Sequence, residues 1–160
     1  MGLETANPGV LGKLNKRMTL EQFSTAARFL RRHAIDLRVF ILVQPPYLPA
    51  AEALPWAQRS LDFAMELGAT AAVLIPTRGG NGAMEDLLAG GQFEPPRLET
   101  LEAAMEYGLS LKAGRVFADL WEVREQCAYC HPQRLARLRR MNLQQVFLDR
   151  SSCERCSGAS

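Results

Sequence analysis

Cys127-Ala128-Tyr129-Cys130 and Cys153-Glu154-Arg155-Cys156 carry the most specific chemistry in this chain. Each is a C-x2-C pair, and 22 residues separate the two. Two such pairs suit a tetrahedral thiolate site, with a gap slightly longer than the usual ~15–20 residues. Zinc is the first reading. An auxiliary Fe–S cluster, which also takes four thiolates, is the second. Four reduced thiols that bind nothing are the bland alternative. Cys127–His131 also spells a c-type haem attachment motif, but haem leaves Cys153 and Cys156 without a role. His131 is read as a surface residue or a fifth candidate ligand.

Two other stretches have chemical potential. Thr77-Arg78-Gly79-Gly80-Asn81-Gly82 is a glycine-rich loop. Glycines allow positive φ and close backbone approach, and a following helix N-terminus favours an anion. No G-K-[ST] ends the loop, so it is not a Walker loop. Arg78 is its candidate side chain, and a plain surface loop is the alternative. Arg134, Arg137, Arg139 and Arg140 follow the first cysteine pair. They could meet RNA phosphates, although such a run is more often the wet face of a helix.

These residues need elements to hold them. Thr19 with Gln22 makes a capping box, and Leu20, Phe23, Ala27, Phe29, Leu30 and Ala34 recur at helical spacing. The helix ends near His33, which faces its dipole. Leu37–Val43 is a near-continuous apolar run stopped by Pro45-Pro46. It predicts a strand buried on both faces, as in a parallel sheet. A helix over Ala50–Leu67 closes at Gly68, with Pro55 in its first turns. Ala71–Ile75 predicts a second buried strand. A short helix over Ala83–Ala89, another over Arg97–Leu111 and a third strand over Arg115–Leu120 follow. Helix and strand alternate, so the fold class is α/β with a parallel sheet and right-handed connections. Pro132–Met141 predicts a basic helix. Leu135, Leu138, Met141, Val146, Phe147 and Leu148 would form a meagre apolar core around the cysteines. The small polar tail after Cys156 reads as disordered.

Composition bounds the rest. The 160 residues amount to roughly one domain. With 48% hydrophobic and 22% charged residues, a disordered or low-complexity chain is excluded. A net charge of +2 is too mild to argue for DNA or a membrane surface. No apolar run reaches the ~18–20 residues that span a bilayer. No secretory h-region follows Met1, so a cytoplasmic protein is expected, where cysteines point to metal or redox chemistry before disulfides.

Gly2-Leu3-Glu4-Thr5, then Val10-Leu11, then Leu14-Asn15-Lys16-Arg17-Met18-Thr19 resemble the second half of a radical S-adenosylmethionine (SAM) domain. The likeness is to the group that includes the elongator catalytic subunit and the methylthiotransferases. There a strand ends in G-[LVI]-[EQ]-[ST] and a later "nR" precedes a helix. Ile75–Glu85 is similar to a bacterial and archaeal subgroup, a relative of which acts in archaeosine tRNA modification. The resemblance covers about residues 1–120 and, more loosely, the cysteine-rich tail. It implies the C-terminal portion of a parallel partial (βα) barrel over 1–120, with a small Cys-rich metal-binding extension over 121–160. It also implies that Glu4 faces SAM and that Arg17 meets the SAM carboxylate with a bidentate fork Lys16 cannot match. The strand end at Leu42–Gln44 would pack on adenine, with the stiff Pro45-Pro46 behind it. Thr77, Arg78, Gly79 and Gly80 would contact SAM or substrate at the barrel mouth.

The family's C-x3-C-x2-C loop, which binds the catalytic 4Fe–4S cluster, is absent from this sequence. An α/β sheet that starts with Gly2–Glu4 also lacks its opening strands. The expectation is therefore a barrel portion that lacks the N-terminal half and is inactive alone toward SAM. The substrate is unknown, with tRNA the class the resemblance implies. The alternative is a standalone α/β metal-knuckle module that binds RNA or a protein partner.

Overall fold

The computed structural model describes residues 1–80, 82–150 and 152–157. Its strands are β1 (Gly2–Glu4), β2 (Arg38–Val43), β3 (Ala71–Pro76) and β4 (Arg115–Ala118). Its helices are α1 (Pro8–Lys13), α2 (Leu20–Arg32), α3 (Ala50–Glu66), α4 (Ala83–Ala89), α5 (Leu98–Ser110), α6 (His131–Gln144) and α7 (Glu154–Ser157). The α/β alternation is as expected, and all three strand pairings are parallel. Thr19 and Gln22 form the reciprocal capping box. His33 closes α2, its Nδ1 2.9 Å from the Phe29 carbonyl. Pro55 lies deeper in α3 than the first-turn amides that lack intrahelical partners, so that helix forgoes a bond there. Asn81 of the glycine loop and the polar tail at 158–160 lie outside the described residues.

The strand order is β1-β2-β3-β4, the order of the sequence. Right-handed crossovers between successive neighbours carry every connecting helix to one side of the sheet. The burial follows. Leu3, Val39, Ile41, Val43, Ala72, Leu74, Val116 and Ala118 join Phe23, Leu61, Leu101, Met105, Leu138 and Met141 in one apolar cluster. The alternate residues are more open, with Phe40 37% exposed and Arg38 and Arg115 exposed. The expectation of strands buried on both faces is thus corrected. One face is packed and the other is half-covered, because sequential winding supplies helices to a single side. This mixed α/β fold is compatible with a portion of a barrel.

The two sheet edges differ. On β4, the Asn142 side-chain amide donates to the Ala118 carbonyl and accepts from the Ala118 N–H, both at 2.8 Å. The Gln145 amide does the same for Val116, at 2.9 and 2.8 Å. Two side chains of the α6 region therefore take the hydrogen bonds a fifth strand would take. On β1 no strand pairs with the outer edge among the described residues.

The described residues of the cysteine-rich tail dock more firmly than their composition suggested. Leu138 and Met141 are fully buried against the sheet core. Val146 and Phe147, expected inside, are 48% and 57% exposed. Arg134 and Arg137, read as a wet or RNA-facing run, instead turn inward onto acids of α5. Arg139 and Arg140 remain exposed.

Candidate functional site: a strand-end rim and a four-cysteine knuckle

In a parallel sheet all strands end on the same rim, and there α/β folds gather ligands. Glu4 ends β1, Gln44 follows β2, Thr77 and Arg78 follow β3, and Asp119 follows β4. Glu4 and Gln44 both have positive φ, 65° and 55°, where β-strand geometry breaks off. The Glu4 carboxylate folds back over Gly2, where an added Cβ would collide with it. Its partner is Lys16, 2.7 Å away. Arg17, favoured over Lys16 by the resemblance, is exposed in the same turn.

The next two positions are used internally. Gln44 is buried and donates through Nε2 to the Glu94 carbonyl at 2.9 Å. Thr77 is also buried, and its N–H and Oγ1 both donate to the Val43 carbonyl, at 3.2 and 3.1 Å. These bonds tie the ends of β2 and β3 together and hold the segment before α5 beneath them. Arg78 is fixed from two sides. Its Nη2 donates to Asp119 Oδ2 at 2.6 Å, and its guanidinium lies 5.1 Å from the centre of the Trp121 ring. Arg78 Nε is buried with no acceptor among the described residues.

The glycine loop already holds an anion, supplied by the chain. The Gly80 N–H donates to Glu85 Oε1 at 2.5 Å, and a Cβ on Gly79 would come within 2.8 Å of that oxygen. The residues the motif reading missed here are Lys16, Glu85, Asp119 and Trp121. Of these Asp119 had a legible signal, a carboxylate directly after a strand.

The knuckle is built at the start of α6. Cys130 caps the helix, Pro132 sits in its first turn, and the His131 N–H donates to the Cys127 carbonyl at 3.0 Å. That tight turn brings Cys127 and Cys130 to one side. His131 is buried, not at the surface, and its Nδ1 has no hydrogen-bond partner among the described residues. The chain returns from α6 along 146–150, where Arg137 Nε donates to the carbonyls of Leu148 and Asp149 at 2.8 and 3.0 Å. Arg150 clamps Glu106 with two bonds of 2.7 and 2.8 Å. This return path delivers Cys153 and Cys156 to the first pair. All four Sγ atoms lie within 4.8 Å of one another, and Cys130 and Cys156 are 3.6 Å apart.

The thiols are not equivalent. Hydrogen bonds from the backbone of Cys130 and Tyr129 lower the Cys127 thiol to about 6. Burial pushes Cys130 up. Hydrogen bonding with Cys127 and the other two thiols raises Cys156 to about 12. Four soft sulfur donors in one small volume are the donor set that takes zinc or iron. Behind them Arg134 bridges to α5. Its Nη2 is 2.6 Å from buried Glu102 and its Nη1 2.5 Å from Glu99.

No family model matches the chain. Over 98 residues it is 26% identical to the archaeosine synthase subunit beta of Methanosarcina acetivorans. The aligned stretch is 61% of this chain and 28% of that protein, so the chain spans well under half the length of this curated relative. At that identity the likeness is distant. It lends family-level support to the radical SAM resemblance. No helix among the described residues is long and apolar enough to cross a membrane.

Proposed function

We propose that this chain is the C-terminal portion of a radical SAM partial barrel, joined to a structural zinc knuckle. The observation that carries the reading is the parallel sheet in sequential order, with Glu4, Gln44, Thr77 and Asp119 at successive strand ends on one rim. SAM lies along the Glu4, Gln44 and Thr77 end of that rim. The Glu4 carboxylate accepts from the amino or ribose hydroxyl groups, and Arg17 faces the SAM carboxylate. The remaining barrel strands add at the unpaired β1 edge, since the β4 edge is sealed. A reduced 4Fe–4S cluster on that other half would supply the electron for reductive SAM cleavage. This chain's residues orient SAM and exclude water. The substrate class the resemblance implies is tRNA.

For the knuckle, zinc fits better than a cluster. Four sulfurs around one ion with ~2.3 Å bonds stand about 3.8 Å apart, matching the packed thiols here. A four-iron cluster seats each thiolate on a different iron and needs them farther apart. The alternative of a standalone RNA-binding module loses its best contacts, because Arg134 and Arg137 are spent on Glu99, Glu102 and Glu106.

Two measurements test the reading. Metal analysis of protein purified without chelator should find about one zinc per chain, whereas iron with visible charge-transfer absorption would move the knuckle to a cluster. The chain reconstituted with iron, sulfide, dithionite and SAM should yield only background 5′-deoxyadenosine. Turnover would refute the half-barrel reading, and in-frame upstream DNA encoding C-x3-C-x2-C would support it.

A further inference from the structure

Cys156 is exposed, whereas Cys130 is buried at the start of α6. Their sulfurs lie 3.6 Å apart, across the two halves of the knuckle. We propose that the knuckle is an oxidation-sensitive latch. A peroxide oxidises Cys156, Cys130 resolves it to a Cys130–Cys156 disulfide, and the zinc leaves while the tail stays tied to α6. The zinc-release half rests on the zinc reading above, and the disulfide half does not.

Three observations carry it. The first is access. Cys127 and Cys153 are half-buried and Cys130 is buried, so a dissolved oxidant meets Cys156 first. The second is placement. To form a bond of ~2 Å, the Cys130 and Cys156 sulfurs need close by only about 1.5 Å. The third is connection. The chain has four cysteines, all in the knuckle, so no thiol elsewhere in it intercepts the oxidised sulfur. Cys130 and Cys156 are 26 positions apart, so this pairing joins the tail to the helix that docks on the sheet. A bond inside either C-x2-C pair would join nothing new.

The steps balance. The Cys156 sulfur takes one peroxide oxygen: the O–O bond breaks, an S–O bond forms, and water leaves. The Cys130 sulfur then attacks, an S–S bond forms, the S–O bond breaks, and a second water leaves. The two sulfurs lose two electrons and the peroxide gains them. Where zinc had held thiolates, the two protons come from solvent. The two remaining thiolates do not make up the four ligands of a structural zinc. The disulfide closes a long loop and so restrains the tail that the metal no longer holds.

The full chain, purified without chelator, is treated with one equivalent of hydrogen peroxide, blocked with N-ethylmaleimide and digested with trypsin. Cleavage separates Cys153, in 151–155, from Cys156, in 156–160, and keeps Cys127 and Cys130 together in 125–134. Non-reducing mass spectrometry should find 125–134 linked to 156–160, with fragmentation placing the bond on Cys130. Two of the four thiols should remain, and zinc should appear in solution in step with their loss. In the folded protein, trypsin should cut after Arg150 at least tenfold more slowly once oxidised than once chelated, and dithiothreitol without zinc should erase that difference. Cys153→Ser should keep the link. Cys156→Ser should lose it, and its oxidised tail should be cut as fast as that of the chelated chain. Bonds confined to the C-x2-C pairs, or sulfinic acid at Cys156 with no disulfide, overturn the proposal. The link forming in protein that carries no zinc would sustain the latch and count against the zinc reading. Zinc retained through the treatment with every thiol intact would overturn the latch and leave the zinc knuckle standing.

Discussion

Glu102 sits at the centre of the charge network that docks the cysteine-bearing helix. It is 2% exposed, and it accepts from Arg134 Nε at 3.2 Å and Nη2 at 2.6 Å and faces Arg137 Nη1 at 3.5 Å. Removing one partner of a buried ionic group leaves the others uncompensated. Glu102→Ala should therefore cost about 3–5 kcal/mol in urea unfolding, and Glu102→Gln, which keeps one acceptor oxygen but turns an NH2 toward the guanidinium, somewhat less. Glu106 lends the network a pH signature. Partial burial opposes its ionisation, but hydrogen bonds from Arg150 and Arg137 outweigh this and hold its carboxyl below the ordinary 4.5. A depressed carboxyl contributes stability that is present above its unfolded pKa and lost as pH falls through the folded one. Urea midpoints should thus fall with pH below about 4.5, and less steeply in Glu106→Gln.

At the scale of elements, α6 does two jobs, sealing β4 and carrying the first cysteine pair. Asn142→Ala and Gln145→Ala should each destabilise by about 1–2 kcal/mol. Hydrogen exchange should then speed up at the Val116 and Ala118 amides while the Val73 amide stays slow. The alternation that places α6 after β4 was readable, since helical and strand periods differ along the whole chain. The cysteine knuckle was readable too, because C-x2-C spacing is a property of the chain alone. The edge seal was not, since Asn142 and Gln145 meet strand residues 24 and 29 positions away through tertiary geometry. The inward arginines left a faint trace. Glu99, Glu102 and Glu106 share one face of α5, and Arg134 and Arg137 share one face of α6, so two complementary stripes stood in the sequence. They were illegible as a pair without knowing that the two helices touch. That Lys16 pairs with Glu4 follows from how the two segments meet, which residue type does not reveal.

For the whole molecule, the tail and the sheet core should separate in their response to metal. The described residues beyond Val146 rest on Arg137, Arg150, the thiolates and a single core contact from Leu148, whereas the sheet has its own apolar cluster. Chelation should therefore expose Arg150 and Arg155 to trypsin while the sheet core stays protected, and added zinc should restore resistance. The asymmetry of the two edges has a further consequence for self-association. A fibre grows by adding copies at both ends, and so needs two adhesive edges on every copy. Without the barrel strands proposed to add at β1, the described residues offer one. Two molecules meeting through their β1 strands would pair about a two-fold axis and present only sealed flanks to a third, so edge-to-edge growth terminates at the dimer. The two amides of Asn142 and Gln145 thus act as chain terminators against polymerisation, a safeguard that costs the protein nothing at its working rim.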